Sequence, residues 1–252
     1  MRNPAVPNRS HRAFHHIVGI AALVLAVGTP PRAVLAQPAT EASPIKIGII
    51  GSGNLGSTLG TLWVKSGHPV LFSSRHPEEL KKLVDSLGPL AHAGTVQEAL
   101  TFGDVVFVAV PYGAYPQIGK DYAREFNGKI VIDAGNAVPA RDGEITKETR
   151  ESGIGITSAK YLAGARIVRA FNTLSFRKVA SNSYRPEGRI GIPMAGDDKD
   201  ALALASILVR DAGFDPAIIG PLERAKDFAQ GAPLYGLEIP AQEMLQRAKS
   251  LR

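Results

Sequence analysis

The sequence predicts an α/β fold, a single domain built on a doubly wound, mostly parallel sheet. Three observations carry that prediction. Residues 44–75 hold an apolar run, a glycine-rich turn, an amphipathic stretch and a second apolar run, in that order. From there to residue 219, short branched runs alternate with helical patterns, the arrangement that returns successive strands parallel with helices on both faces. The chain's 252 residues are 44% hydrophobic and 21% charged, ordinary for a globular protein and enough for one sizeable core.

The first unit is the most informative. Residues 45–50 carry isoleucines at 45, 47, 49 and 50 and read as a buried strand. Gly51, Ser52, Gly53, Asn54, Leu55 and Gly56 then match G-x-G-x-x-G. Leu55, Leu59, Leu62 and Trp63 recur at helical spacing, Gly67 marks a helix end, and residues 69–73 read as a second strand. Gly51 permits the tight turn off the strand. Gly53 lets backbone approach a pyrophosphate, and Gly56 lets helix pack on strand. The helix adds free N–H groups and the positive end of its dipole. A glycine motif alone is a weak signal. Between a strand and a helix, with a second strand following, it specifies a Rossmann-type dinucleotide site.

The end of the second strand selects the dinucleotide. An NAD site places an acid there to hold the ribose 2′-hydroxyl. This chain has Ser73, Ser74, Arg75 and His76, with no acid before Glu78. Two hydroxyls and a guanidinium suit a 2′-phosphate, so the expected cofactor is NADP(H). The alternative is a polar turn that happens to carry an arginine.

Charge excludes some partners. The formal net charge is +6, but four of the 29 Lys and Arg residues fall in residues 1–36, where there is no acid. The remainder carries 25 bases against 23 acids, no electrostatic footprint for nucleic acid. Zero cysteine removes disulfide and thiolate chemistry. Residues 1–36 read as a secretory signal peptide. Arg2, Arg9 and Arg12 precede an apolar run over 17–27, and Val34-Leu35-Ala36 places cleavage before Gln37. That run is short for a bilayer span, so no stable span is expected after cleavage, and export to the periplasm or beyond is the expected location. The alternatives are an uncleaved membrane anchor and a cytoplasmic protein with a mispredicted start. Residues 37–44 form a linker, 45–228 the NADP-binding domain, and 229–252 a helical tail.

Later strands are expected at 104–110, 129–133, 165–171, 190–195 and 216–219, with Pro193 marking an edge or bulged strand. Helices are expected at 77–87, 96–100, 115–126, 157–162, 199–212, 222–228 and 239–248. Three strand ends should reach the ligand crevice: Val110-Pro111-Tyr112, Gly135-Asn136 and Phe171-Asn172-Thr173. Tyr112 and Phe171 could stack on rings, and Asn136 or Thr173 could hold a carboxamide; the competing reading of each is a turn or packing residue. His68, His76 and His92 read as structural or surface histidines, Asp197-Asp198 as a helix cap rather than a catalytic pair, and Asp133 as a structural hydrogen-bonding group. No metal-ligand spacing and no acid–base pair is visible. Hydride exchange between two stacked rings needs no such pair, whereas reduction of an imine or carbonyl needs a proton donor, for which Tyr112 is the candidate.

Six segments in order, KIGIIGSGNLGSTLG, FSSRHP, DVVFVAVPYGAY, KIVIDAGNAV, RIVRAFNT and IPMAGDDKDA, resemble the NADPH-dependent deazaflavin-coenzyme reductases. Their domain is shared with the N-terminal part of pyrroline-5-carboxylate reductases and with the cytosolic domain of six-transmembrane metalloreductases. The resemblance covers about residues 45–228. It implies that Ser52, Gly53, Asn54 and Leu55 line the pyrophosphate and that Ser74 and Arg75 hold the 2′-phosphate. Val110, Pro111, Ala134, Gly135 and Asn136 would lie along the nicotinamide. It further implies a flavin or deazaflavin coenzyme as small-molecule redox acceptor, no proton-transfer residue, and a homodimer. Two further readings stay open: a small imine or carbonyl reductase, and an exported nucleotide-binding module without turnover.

Overall fold

The computed structural model describes residues 43–251. The leader, and the linker up to residue 42, lie outside the described residues. The strands are β1 (Ile47–Ile50), β2 (Val70–Ser73), β3 (Ala91–Gly94), β4 (Val105–Val108), β5 (Ile130–Asp133), β6 (Arg166–Arg169), β7 (Gly191–Gly196) and β8 (Asp215–Gly220). They form one sheet in the order β3-β2-β1-β4-β5-β6-β7-β8, parallel except where β7 meets β6. The helices are α1 (Asn54–Lys65), α2 (Lys81–Leu87), α3 (Val96–Phe102), α4 (Tyr115–Asp121), α5 (Ala123–Phe126), α6 (Pro139–Asp142), α7 (Ile145–Ser152), α8 (Ile154–Tyr161), α9 (Phe176–Asn182), α10 (Lys199–Asp211) and α11 (Ala241–Lys249). The mostly parallel α/β architecture is the one the alternation predicts.

The strands alternate residues between two cores, as their pleat requires. Ile47, Ile49, Val105 and Phe107 enter one core; Ile50, Val106 and Val108 enter the other. Trp63 centres the first. Its ring meets Phe107 and Phe171 edge-on, and its Nε1 donates to the Leu208 carbonyl at 2.8 Å, which fastens α1 to α10. The second core closes under α11, where Met244 and Ala248 are buried. Gly191 admits that helix closely, because a Cβ there would lie 2.5 Å from the Cα of Ala241.

Pro193 sits in an internal strand, beside an irregularity at Met194 and Ala195. The edge alternative is thereby corrected and the bulged one stands. The Gly191 N–H leaves β7 toward Ile239, away from β8, and residue 193 points the same way. β6 pairs β7 only at Ala195 and Gly196, so the missing N–H interrupts no ladder bond.

Strand order reverses between β1 and β4, which lie side by side in the centre with β2 and β5 outside them. That switch point is where open α/β sheets form a crevice at the carboxyl ends of their strands.

Candidate active site

The glycine turn leaves β1 at the switch point. Gly51 takes φ +98°, and a Cβ on it would lie 2.7 Å from the Ala109 carbonyl oxygen. A Cβ on Gly56 would lie 2.2 Å from the Gly51 oxygen, so the first turn of α1 rests directly on the loop. Gly53 differs, since a Cβ there would meet nothing within 4 Å. Its bareness is of no use to packing and leaves open space in front of the helix.

The amino end of α1 carries no side-chain cap and no acid in its first turn. The first intrahelical bond is Ser57 N–H to the Gly53 carbonyl, so the amides of Asn54, Leu55 and Gly56 have no helical acceptor. Ser52 N–H donates to the Ser73 carbonyl at 3.3 Å, tying the loop to the end of β2. Ser52 Oγ is buried and has no hydrogen-bond partner among the described residues. Free amides and an unmatched hydroxyl at a positive helix end fit the phosphates of a dinucleotide.

Ile50, Gly51, Ser52, Gly53, Ser73, Ser74, Arg75, Val110 and Pro111 line one cavity of about 840 Å³, which extends over Gln117, Asp121 and Tyr122. The structure thus brings together the glycine loop, the end of β2 and the loop after β4. Ser74 Oγ accepts the His76 N–H at 3.1 Å and keeps its own proton to donate. Arg75 is exposed. Ser73 is a correction. Its side chain is fully buried and its hydroxyl proton goes to the Ile49 carbonyl at 2.7 Å, so it braces β2 against β1 and cannot donate to a phosphate.

Ala134, Gly135 and Asn136 follow β5 and are held from behind. Asp133 Oδ1 accepts the Gly135 N–H at 2.9 Å and the Tyr115 hydroxyl at 2.5 Å. Asp133 Oδ2 lies 2.7 Å from Arg169 Nη1 on β6, with both side chains fully buried. Asn136 Nδ2 donates to the Asn172 carbonyl at 2.7 Å, and Asn172 Nδ2 donates to the Phe228 carbonyl at 2.9 Å. Arg141 Nη2 donates to the Asn136 carbonyl at 2.7 Å. These bonds join the carboxyl ends of β5 and β6 into one rigid rim. Arg169 and Arg141 are parts of it that the sequence reading did not single out, and Asn172, expected at the crevice, proves to be one of its ties. A charged residue inside each of the apolar runs KIVID and RIVRAF was the available signal.

Tyr112 and Phe171 are two further corrections. Tyr112 is fully buried and stacked on Tyr115, with ring centroids 4.4 Å apart. Its hydroxyl lies 3.0 Å from the Ile154 carbonyl and 2.8 Å from Ser158 Oγ. Burial first, and the Asp133 charge second, raise both phenols well above the ordinary tyrosine value. Tyr112 is therefore neither a ring platform nor a proton donor. Phe171 is equally buried, packed edge-on to Trp63, Phe107 and Phe214. Thr173 is 4% exposed and belongs to packing. Of the Asp197-Asp198 pair, Asp198 caps α10, accepting the Ala201 N–H at 2.8 Å, while Asp197 accepts the Leu222 N–H at 2.9 Å. No group of three or more potential metal-ligating side chains occurs among the described residues. No helix there is long and apolar enough to cross a membrane.

Comparison with known proteins agrees with this geometry. A rat metalloreductase, STEAP3, is 30% identical over 186 residues, spanning 72% of this chain and 35% of its own. The chain thus spans about a third of the length of the curated relatives it matches first. A solved structure of a hypothetical protein from Sinorhizobium meliloti is also 30% identical, covers 78% of this chain and 95% of its own, and superposes with a TM-score of 0.66. The imine reductase from Myxococcus stipitatus in complex with NADP+ covers 73% of this chain and 57% of its own at 19% identity and a TM-score of 0.54, a likeness of fold alone. Residues 46–137, from β1 through the loop after β5, match the family described as NADP oxidoreductase, coenzyme F420-dependent. The matched residues hold five of the eight strands, and over them the chain is similar to the family of coenzyme F420-dependent NADP oxidoreductases.

Proposed function

We propose that the chain passes a hydride between NADP(H) and a flavin- or deazaflavin-type acceptor. The observation that carries this reading is the amino end of α1. It is uncapped, faced by open space at Gly53, and flanked by the unmatched Ser52 hydroxyl. In this reading Ser52 to Gly56 grip the pyrophosphate, and Ser74 and Arg75 take the 2′-phosphate. Val110, Pro111 and the rim from Ala134 to Asn136 flank the nicotinamide. NADPH supplies a hydride; the acceptor gains it together with a proton from water, leaving NADP+ and the two-electron-reduced acceptor. The chain contributes grip and alignment, since two rings in contact need little else.

Imine or carbonyl reduction is less well supported, because the phenol considered as proton donor is buried and bonded. The leader motif supports export, which would show as a mature amino terminus at Gln37. The test of function is NADPH oxidation by purified protein offered FMN, riboflavin or a deazaflavin. Turnover with at least one of them is expected. Turnover with none would refute the reading.

A further inference from the structure

The dinucleotide cavity does not end at Arg75. Leu80 and Val96, which follow β2 and β3, line it on one side, and Ile118 and Tyr122, which follow β4, line it on the other. Gln97, one residue beyond Val96, donates from Nε2 to Glu125 Oε1 on α5 at 2.9 Å and clasps the two sides together. Two carboxylates break this apolar lining, Glu79 and Asp121. Asp121 is placed at a local cost. It is the last residue of α4, where the helix dipole is negative and an acid is unfavourable. Its Oδ1 accepts from Gln117 Nε2, one turn back, at 2.7 Å. That single bond leaves most of a carboxylate's acceptor capacity free. An acid beside the site of a polyanion repels the phosphates, so its presence calls for a donor on the ligand.

We propose that Asp121 reads the exocyclic amine of the cofactor's adenine and so sets base specificity. This rests on the NADP(H) reading above, which puts the 2′-phosphate at Arg75. The base hangs from the ribose carbon next to the one that bears this phosphate, so it falls beside Arg75. The apolar walls at Leu80, Val96, Ile118 and Tyr122 are the part of the cavity suited to a flat ring. The amine carries the only N–H donors of an adenine joined to ribose, and a carboxylate only accepts. The two match. Hypoxanthine has an oxygen in place of the amine and would set acceptor against acceptor at the same point. The bond from Gln117 holds the carboxylate from behind, so the free oxygen is oriented before the base arrives.

The test is direct titration with NADPH and with its hypoxanthine analogue. Wild type should bind NADPH about fivefold tighter or more, since a site built to pair a donor rejects the ligand that lacks it. Asp121→Asn removes the charge and can turn either an oxygen or an amine to the base, so the two nucleotides should come within about twofold of each other. Asp121 is exposed at a helix end, and its loss should leave the fold intact. Glu79→Gln removes an equal charge from the same cavity and should keep the wild-type ratio, with both affinities rising together. Equal affinities in the wild type, a ratio unchanged in Asp121→Asn, or a ratio lost as fully in Glu79→Gln would each overturn the base-reading role while leaving the dinucleotide site standing. Wild-type protein that binds neither nucleotide would overturn both readings together.

Discussion

Asp133 and Arg169 face each other across β5 and β6, paired in register and 2.7 Å apart, with neither side chain reaching solvent. The aspartate also gathers the Gly135 amide and the Tyr115 hydroxyl, so one buried carboxylate holds the loop that borders the proposed nicotinamide position. Burial is the largest influence on Arg169 and opposes its charge, yet Asp133 together with Tyr115 and Tyr112 raises the guanidinium above its ordinary value.

Removing one member of such a pair leaves the other charge buried and unopposed. Arg169→Met is expected to destabilise the protein by about 3–5 kcal/mol, read from urea unfolding. Adding Asp133→Asn should recover part of that loss. A single variant as stable as wild type would show that the pair is not held as described.

The glycines of the loop separate binding from folding. Gly53→Ala adds a methyl where the protein has nothing within 4 Å, so stability should change by no more than about 0.5 kcal/mol. Dinucleotide affinity should nonetheless fall roughly tenfold or more, since the methyl enters the space a phosphate needs. Gly56→Ala should do the reverse and unfold the protein, because its methyl would lie 2.2 Å from the Gly51 oxygen. Full affinity in Gly53→Ala would remove the phosphate from this loop.

Asp198 gives the protein an acid-sensitive joint. The Arg166 guanidinium, bonded to both of its oxygens at 2.7 and 2.6 Å, and the Ala201 amide hold its pKa down to about 2. A folded-state value below the unfolded one stabilises above the unfolded pKa of about 3.9 and is lost as pH falls through the folded one. Thermal stability should therefore decline as pH drops from about 4 to about 2, and Asp198→Asn, which can still cap α10, should flatten that decline. Parallel curves for the two proteins would contradict the assignment.

What was legible in the sequence follows from how locally each feature is determined. The turn from β1 into α1 is written in six adjacent residues, and the strands beside it are continuous branched runs, so period and punctuation identify them. The short helices α6 and α7 escaped because they lack an apolar stripe, the buried residues of α7 being Thr146 and Thr149, and α9 because seven residues are too few for Phe176 and Val179 to mark a period. Tyr112 and Phe171 look available at strand ends. Their burial depends on partners far along the chain, Ile154 and Ser158 for one and Trp63 and Phe214 for the other. Ser73 was misjudged because its hydroxyl proton goes to the Ile49 carbonyl on the neighbouring strand, a partner 24 residues away, whereas Ser74 keeps its own. Ion pairing between Asp133 and Arg169 needs strand register, which no stretch of sequence displays.

The most direct test is calorimetric titration of wild-type protein and Arg75→Ser with NADPH and with NADH. Wild type should bind NADPH at least about tenfold tighter than NADH, the scale of one or two charge-assisted hydrogen bonds to the 2′-phosphate. The variant should lose most of that preference while NADH affinity stays nearly constant. Equal affinities in the wild type, or equal losses for both nucleotides in the variant, would contradict a site built around a phosphorylated adenosine.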